Sequence, residues 1–284
     1  MARKKRSKKA KSSGGRRRFR AWRDLHWYGK IWRVVWVSLL TLWLLSLLLV
    51  LLYRYVNPPI TPLMVQRYVQ QLTDSNREVH FERHYVPLEE ISPHLINAVV
   101  NSEDDLFMYH GGFDVKQLKQ SYLENKKGRR VRGGSTISMQ TAKNVFLPHS
   151  RTMFRKAVEA YFTILIEAVW GKKRIMEVYL NVIEYGDGIY GCEAASQFYY
   201  GHPASRLSRQ EAAQLAVSLP NPMVMNPSRR GPYFRRQTQL VMERMVKWPV
   251  NLDMSREERH RRHPELESLW DFIRWCMTEG KKSQ

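Results

Sequence analysis

The sequence predicts a mostly α-helical domain that follows one N-terminal membrane-spanning helix. Residues 34–53 form twenty consecutive positions without a charged side chain. As a helix rising about 1.5 Å per residue, they would span the roughly 30 Å core of a bilayer. No second apolar run of that length follows residue 57. The rest of the chain carries stronger helix signals than strand signals, which predicts one helical domain outside the membrane.

The N-terminal tail, residues 1–33, sets the expected orientation of the span. Thirteen of the 47 Lys and Arg residues lie within the first thirty positions, against the single acid Asp24. By the positive-inside rule this tail stays in the cytoplasm, and the following domain lies across the membrane. The apolar run continues through bulky Leu and Val to Tyr53, so we interpret residues 34–53 as a retained anchor rather than a cleaved signal peptide.

The basic tail has a second interpretation. Lys and Arg neutralise phosphates whatever the base sequence, so the run MARKKRSKKAK is also compatible with a nucleic-acid-binding arm. A basic cluster beside a membrane span is, however, sufficiently explained by topology and by attraction to anionic lipids. We therefore expect a membrane partner and no nucleic acid.

The composition limits the remaining classes of protein. With 284 residues, of which 43% are hydrophobic, the chain can bury a core, which excludes a wholly disordered or fibrous protein. Its two cysteines, Cys192 and Cys276, are too few for a disulfide scaffold and form no CxxC pair, so neither a zinc finger nor a redox motif is supported. One disulfide remains open for a domain outside the cytoplasm.

Three helices of the domain have recognisable starts. The predicted apolar-periodic stretches are 92–102, which opens with Ser-Pro, 151–170, which follows Ser150, and 208–219, which opens with a Ser. Ser is a favoured N-cap residue, and Pro is tolerated in the first helical turn.

The segment 251–284 is expected to be a charged C-terminal extension of the main domain, which we place at residues 54–250. It is rich in Arg but carries apolar side chains at helical spacing, namely Leu266, Leu269, Trp270, Phe272 and Ile273. We predict an appended helix, to which the sequence assigns no function.

The first segment with candidate chemistry runs from Asn97 to Asp114, NAVVNSEDDLFMYHGGFD, where an apolar helix ends in three consecutive acids. The negative pole at a helix C-terminus disfavours ionisation, so the pKa of Glu103 should be raised. A raised pKa suits a general base. The alternative is that Glu103, Asp104 and Asp105 form a solvated helix end.

The second segment is RRVRGGSTISMQTAKN, residues 129–144, in which two glycines allow backbone amides to approach a ligand closely. Neutral hydrogen-bonding side chains are supplied by Ser135, Thr136, Ser138 and Gln140, and a positive charge by Lys143. Such a segment can hold a diphosphate although it lacks the residue order of a P-loop. The alternative is a Gly-Gly hinge followed by an ordinary helix start.

The third segment is the predicted helix from Arg151 to Trp170, which has one apolar stripe and one polar face. Arg155 and Lys156 precede Glu159 by four and three residues, so all three side chains lie on one face. They could meet one ligand, or they could simply pair with each other.

These three segments together resemble the family 51 glycosyltransferases that polymerise peptidoglycan. The resemblance lies in the acidic turn with Phe107, His110 and Gly112, then in GGSTISMQ, RKAVEAYF and KKRIMEVYLNVIEYGDGIYG, and continues to Pro227. The short chain, the single anchor and the phrase AVSLPNP resemble the monofunctional members. No S-x-x-K is followed by K-T-G, as a transpeptidase would require.

The resemblance implies a lysozyme-like, mostly α glycosyltransferase domain that joins the disaccharide-pentapeptide units of lipid II into β-1,4-linked glycan with inversion. Glu103 matches the family's general base, and Glu159 its second carboxylate. Lys143, Arg155 and Lys156 would neutralise the departing undecaprenyl diphosphate. A divalent cation could assist at the diphosphate, and no other cofactor is implied.

Further positions match family motifs, and the resemblance implies substrate binding for them. They are Asp104, His110, Ser135, Thr136, Gln140, Asn144, Asn181 and Glu184. His110 could instead be a packed imidazole that orders the acidic turn, and Asn181 and Glu184 could cap helix ends. Met139 departs from the family pattern, which usually has Gln there. The implied partners are lipid II, the growing glycan, the inner membrane and other cell-wall synthesis proteins.

Two alternative functions remain at this point. A membrane-bound lytic transglycosylase or muramidase would share the fold and the two carboxylates, because two acids alone do not separate synthesis from hydrolysis. An inactive scaffold of the cell-wall machinery would keep the fold without the chemistry. The cationic set beside the Gly-Gly-Ser-Thr segment favours the synthetic enzyme, because a hydrolase of neutral glycan would not need it.

Overall fold

A computed structural model describes residues 26–74, 78–126, 134–150, 152–263 and 266–282. The predictions for the tail up to residue 25 and for residues 129–133 of the segment RRVRGGSTISMQTAKN fall outside the described residues. The helices of the described part are α1 (Trp27–Tyr53), α2 (Pro62–Thr73), α3 (Pro93–Glu103), α4 (Val115–Lys126), α5 (Ile137–Phe146), α6 (Met153–Val169), α7 (Gly171–Val182), α8 (Cys192–Tyr200), α9 (Arg209–Ser218), α10 (Pro232–Lys247), α11 (Arg256–Arg262) and α12 (Leu269–Lys282). The strands are β1 (Glu82–Arg83), β2 (Glu184–Gly186) and β3 (Ile189–Tyr190). The predicted mostly helical fold is confirmed.

Helix α1 is the apolar helix that the sequence predicts. Within the described residues it is the one helix whose length and composition would let it cross a membrane. Its large apolar side chains from Val34 to Leu48 are mostly exposed, as expected for a surface that meets lipid rather than protein.

The chain forms two compact units, of which the second begins at Leu49. The last turn of α1 therefore belongs to the second unit. There, Val50 is buried, and its carbonyl accepts a hydrogen bond of 2.8 Å from Trp170 Nε1. The Tyr53 carbonyl accepts one from Arg174 Nη2 at 2.9 Å. The expected boundary between anchor and domain, at 53/54, lies five residues after the boundary between the two units.

The core of the second unit is formed mainly by packed helices. Helix α3 packs against α9 and α10, while α5 packs against α6 and α7. Among the fully buried side chains of this core are Leu95 of α3, Ile137 of α5 and Tyr179 of α7. Val99 and Val100 near the end of α3 and Ile137 at the start of α5 thus belong to the same hydrophobic core.

Side-chain caps explain where these helices begin. Ser92 accepts the His94 N–H at the start of α3, and Ser208 forms a capping box with Glu211 at the start of α9. Both starts agree with the predictions. Helix α6 begins slightly later than predicted, because Thr152 rather than Ser150 caps it by accepting the Arg155 N–H.

A three-stranded sheet with the order β1-β3-β2 accompanies the helices. Strand β1 pairs parallel with β3, and β2 pairs antiparallel with β3. The turn between β2 and β3 contains Gly188 at φ +76°, and its carbonyl accepts the Glu82 N–H at 2.8 Å. The strands are two or three residues long, too short for the alternating pattern that would predict them from sequence.

The C-terminal extension contains two helices rather than one, α11 and α12. Helix α12 packs against α4, where the ring centroids of Trp275 and Tyr122 lie 5.4 Å apart. Just before α12, Glu267 accepts a hydrogen bond from Lys119 Nζ at 2.6 Å.

Cys192 and Cys276 are both free thiols.

Gly188→Ala should destabilise the domain strongly. A Cβ at this position would lie 1.9 Å from the His80 carbonyl oxygen, so overpacking of about 1–3 kcal/mol adds to a left-handed backbone cost of about 1–2 kcal/mol. Gly201→Ala is the matched control, since it has φ +74° and open space around the added Cβ. Thermal melts of the full chain in detergent should show a clearly larger drop for Gly188→Ala; equal drops would contradict the predicted clash.

Candidate active site

The acidic turn lies where α3 ends, as predicted. Glu103 is the last residue of α3 and is half-buried. Burial raises the pKa of the Glu103 carboxyl, the nearby Asp104 adds to the rise, and a hydrogen bond from Gln140 together with the charge of Lys143 opposes it. The predicted direction therefore agrees, but the main cause is loss of water around the carboxylate rather than the pole of the helix.

Gln140 is the polar partner of Glu103. Its Nε2 donates to Glu103 Oε2 at 2.8 Å, and its Oε1 accepts from the Tyr179 hydroxyl at 3.2 Å. Tyr179 lies on α7 and is fully buried. The sequence analysis did not single out Tyr179; the signal for it was its place in the motif segment KKRIMEVYLN.

Asp104 and His110 hold the acidic turn in place. Asp104 Oδ1 lies 2.8 Å from His110 Nε2, and Asp104 Oδ2 accepts the Ile137 N–H at the start of α5 at 2.9 Å. His110 Nδ1 accepts the Gly112 N–H at 3.0 Å. Because Nδ1 is an acceptor, the ring proton lies on Nε2 and is donated to Asp104. The structure thus places His110 as the packed imidazole that orders the turn.

Thr136 connects the same turn to helix α5. Its hydroxyl donates to the Gly112 carbonyl at 2.6 Å and accepts the Met139 N–H at 3.2 Å. Gly112 has φ +94°, and a Cβ there would lie 2.8 Å from a Thr163 methyl group and 2.9 Å from the Glu167 side chain. Gly112 therefore permits a close approach between the acidic turn and α6.

Met139, which departs from the family pattern, is buried.

A second group of polar side chains, which the sequence analysis missed, supports this turn. Lys172 Nζ donates to the His110 carbonyl at 2.7 Å and to Glu167 Oε1 at 2.6 Å, and Ser138 also donates to Glu167. Lys172 Nζ lies 4.6 Å from the centroid of the Phe107 ring. Glu159, Thr163 and Glu167 stand four residues apart on α6, and that polar stripe was the available signal.

The cationic cluster, Lys143, Arg155 and Lys156, surrounds a buried carboxylate. Glu159 is 2% exposed; its Oε2 accepts from Arg155 Nη1 and its Oε1 from Lys156 Nζ. Lys156 Nζ also donates to Ser135 Oγ at 3.3 Å. Arg155, Lys156 and Glu159 do therefore pair with each other, as one alternative proposed.

Lys143 lies within electrostatic range of both carboxylates, Glu103 and Glu159. Burial lowers the pKa of Lys143, Glu159 raises it, Arg155 and Lys156 lower it, and Glu103 raises it slightly. Within the described ranges, the Lys143 ammonium makes no hydrogen bond or ion pair. Three cations against the single carboxylate of Glu159 give the cluster a charge of +2, which suits a doubly charged anionic ligand.

Three sequence-predicted site residues are not connected to this arrangement. Asn144 is buried on α5. Asn181 exchanges two hydrogen bonds of 2.9 Å with the backbone of Val86 and donates a third to the Glu177 carbonyl. In the part of the chain that the structure describes, no hydrogen bond or ion pair links Asn144, Asn181 or Glu184 to Glu103, Gln140 or Glu159.

Glu184 forms a separate buried pair. Its Oε2 lies 3.3 Å from Arg67 Nε. Burial raises the pKa of Glu184 to about 7, although the charge of Arg67 opposes the rise and that of Asp187 adds to it. Glu184 is the first residue of β2, and its partner Arg67 lies on α2. It therefore pairs with a neighbouring helix instead of capping a helix end, as the sequence analysis had suggested.

The arrangement combines two chemical capacities. A carboxylate whose pKa is raised by burial can accept a proton from a bound hydroxyl near neutral pH. A neighbouring cluster of cations can bind an anion and stabilise negative charge that develops on it. Helix α5 carries side chains of both parts, Gln140 for the first and Lys143 for the second.

Comparison with known proteins agrees with these observations. Residues 68–246 match the family model described as Transglycosylase. The chain is 48% identical over 192 residues to a biosynthetic peptidoglycan transglycosylase of Caulobacter vibrioides, which covers 68% of this chain and 81% of the relative. It is 49% identical over 205 residues to one of Rhodospirillum centenum (71% and 86%), and 43% identical over 217 residues to one of Pseudomonas putida (75% and 92%). Because the matched region contains the acidic turn, helix α5 and the cationic cluster, the chain that carries this site belongs to the transglycosylase family.

Proposed function

We propose that this chain is a peptidoglycan glycosyltransferase that polymerises lipid II into β-1,4-linked glycan and releases undecaprenyl diphosphate. The observation that carries the proposal is that a half-buried base whose pKa is raised, Glu103, occurs in the same domain as the cationic cluster of charge +2. The names of the relatives, which are biosynthetic peptidoglycan transglycosylases, support the substrate class.

The glycosyl transfer begins at Glu103. Its carboxylate takes the proton from the 4-hydroxyl of the acceptor N-acetylglucosamine, and that oxygen attacks the anomeric carbon of the donor. The new carbon–oxygen bond forms on the face opposite the diphosphate, so an α-linked donor gives a β-1,4 linkage with inversion. The hydrogen bond from Gln140 holds Glu103 Oε2 in one direction during this step.

The diphosphate leaves with the electron pair of the broken bond. Arg155 and Lys156 already share Glu159, whereas the Lys143 ammonium has no polar partner in the described residues. We assign Lys143 as the main cation that binds the leaving diphosphate. Lys156 and Arg155 donate further hydrogen bonds to it while they keep their contacts with Glu159. The negative charge that develops on the diphosphate is then stabilised in a partly dehydrated site.

The position of Glu159 favours synthesis over hydrolysis. An inverting glycosidase needs a carboxylic acid that donates a proton to the leaving oxygen. Both oxygens of Glu159 accept hydrogen bonds from cations, so neither is available to donate one. A diphosphate leaving group needs no such proton, and cations serve it better.

We also propose the topology of the chain in the membrane. Helix α1 fits a single span, and the basic tail favours a cytoplasmic N-terminus with the catalytic domain on the periplasmic side of the inner membrane. An enzyme anchored in this way meets its lipid-linked substrate in two dimensions. We also propose that other proteins of cell-wall synthesis are its partners at the membrane.

A divalent cation at the diphosphate is a further proposal. The described residues contain no group of three or more His, Cys, Asp and Glu side chains placed to hold a metal, so a cation would depend on the oxygens of the diphosphate for ligands. Polymerisation measured in EDTA, and again after addition of Mg²⁺ or Mn²⁺, tests this point.

Glu103→Gln should lower lipid II polymerisation by about 100-fold or more, because the amide keeps the shape but does not accept the proton. Asp105→Asn is the matched control, since Asp105 is an exposed acid two residues away and should keep full activity. Products from labelled lipid II are separated by gel electrophoresis. Shortening of preformed glycan without polymer would instead identify a lytic enzyme, and full activity of Glu103→Gln would contradict the assigned base.

Lys156→Met should raise the KM for lipid II by about tenfold, because a charge-assisted contact to the diphosphate is lost. Lys173→Met is the control, since Lys173 pairs with Asp253 on the surface. Initial rates are measured against lipid II concentration. If both variants keep the KM of the natural chain, the diphosphate does not bind beside Lys156.

Deletion of residues 1–48 should leave a folded domain with weaker activity on lipid II in liposomes. The cut is placed before Leu49 because Val50 belongs to the core, whereas a cut after residue 53 would also remove its hydrogen bond from Trp170. Activity on detergent-dispersed substrate should change less. Equal activity of both forms on liposomes would show that the anchor is dispensable.

A further inference from the structure

Tyr179 is joined to Glu103 by two hydrogen bonds that run through one side chain, Gln140. Its hydroxyl donates to Gln140 Oε1 at 3.2 Å, and Gln140 Nε2 donates to Glu103 Oε2 at 2.8 Å. Tyr179 is fully buried on α7. A hydroxyl in such a place is rarely found without a hydrogen-bond partner, and here the partner is the amide that contacts the proposed base.

The two ends of the Gln140 amide are not equivalent. The nitrogen only donates hydrogen bonds and the oxygen only accepts them. When the amide is rotated by 180°, its oxygen faces the ionised carboxylate of Glu103, and two acceptors are then opposed. The orientation that serves an ionised Glu103 is therefore the one in which Oε1 points to Tyr179.

We propose that Tyr179 is a positioning residue for glycosyl transfer: its hydroxyl holds the Gln140 amide in the orientation that donates to the Glu103 carboxylate. The inference rests on the proposed function, in which Glu103 acts as the base. In the described part of the chain, Gln140 is the only side chain that hydrogen-bonds the Glu103 carboxylate. If the Gln140 amide turns away, no other described side chain replaces that hydrogen bond.

The other groups around Glu103 act through charge and burial. Asp104 follows it in the chain and raises its pKa, and Lys143 on α5 lowers it. Tyr185 on β2 lies nearby, but burial raises the pKa of its hydroxyl well above the usual value, so it brings no charge to Glu103. On α10 the guanidinium of Arg244 donates to the Asn101 carbonyl at 3.3 Å. None of these groups contacts the Gln140 amide by a hydrogen bond.

The consequence of losing the Tyr179 hydroxyl follows from the sign of the Gln140 hydrogen bond. That bond favours the ionised form of Glu103 and so lowers its pKa against the effect of burial. With Gln140 free to rotate, the pKa of Glu103 rises further. Since the base works only when ionised, activity falls as the pH drops through that pKa, and the acid limb of the activity profile moves to higher pH.

The test compares Tyr179→Phe with Tyr185→Phe in the full chain. Tyr185 is the matched control, because it is also fully buried and its hydroxyl has no hydrogen-bond partner in the described residues. For Tyr179→Phe, the acid limb of lipid II polymerisation should move upward by about 0.5–1 pH unit, which equals a loss of about three- to tenfold below the limb. The KM should change little, and Tyr185→Phe should keep the natural profile.

A double-variant cycle separates positioning from a general structural effect. When Tyr179 acts through Gln140, Tyr179→Phe produces no further shift in a Gln140→Ala background. Equal shifts in both backgrounds, or an unshifted limb in Tyr179→Phe, would overturn the proposal while lipid II polymerisation by the natural chain still stands. Absence of polymer from the natural chain would instead reject the proposed function.

A second substitution keeps the test valid if Tyr179→Phe does not fold, which a thermal melt reveals. Incorporation of 3-fluorotyrosine at position 179 keeps the hydroxyl and nearly the same volume but makes it a stronger donor. It should hold the Gln140 amide more firmly and move the acid limb downward or leave it in place. An upward shift for this folded variant would contradict the proposed direction of the hydrogen bond.

Discussion

The Asp104 carboxylate is the contact on which the geometry of the candidate site depends. One oxygen accepts the N–H of Ile137, the first residue of α5, and both lie within 3.0 Å of His110 Nε2. The end of α3 and the start of α5 are thereby fixed to each other. Everything that α5 carries, including Gln140 and Lys143, takes its position relative to Glu103 from this junction.

Two carboxylates on α6 have cationic partners, whereas one cation on α5 has none within the described residues. Glu159 has Arg155 and Lys156, and Lys172 has Glu167, as the cost of burying an unpaired charge requires. Lys143 makes no hydrogen bond or ion pair within the described residues, although burial lowers its pKa. In the proposed function, the diphosphate of the donor would supply the opposite charge that Lys143 lacks.

The sequence predicted the fold class and the starts of α3 and α9, and it singled out Glu103, Gln140 and the cationic cluster of the candidate site. It did so because caps, apolar period and motif order are local signals. It did not predict that Asn181 is held by the backbone of Val86, or that Glu184 pairs with Arg67, because those partners lie about one hundred residues away in the chain. The supporting pair Lys172 and Glu167 was missed for a related reason. Charged residues on amphipathic helices usually face solvent, and only the packing of α6 against α7 shows that these do not.

The two cysteines differ in a way that matters for experiments. Cys192 is buried, and burial raises the pKa of its thiol, so it reacts slowly with alkylating reagents. Cys276 is partly exposed on α12, the helix that packs on α4. A maleimide dye therefore attaches selectively to the natural chain without mutagenesis. Its fluorescence would report on the surroundings of α4 while glycan is being made.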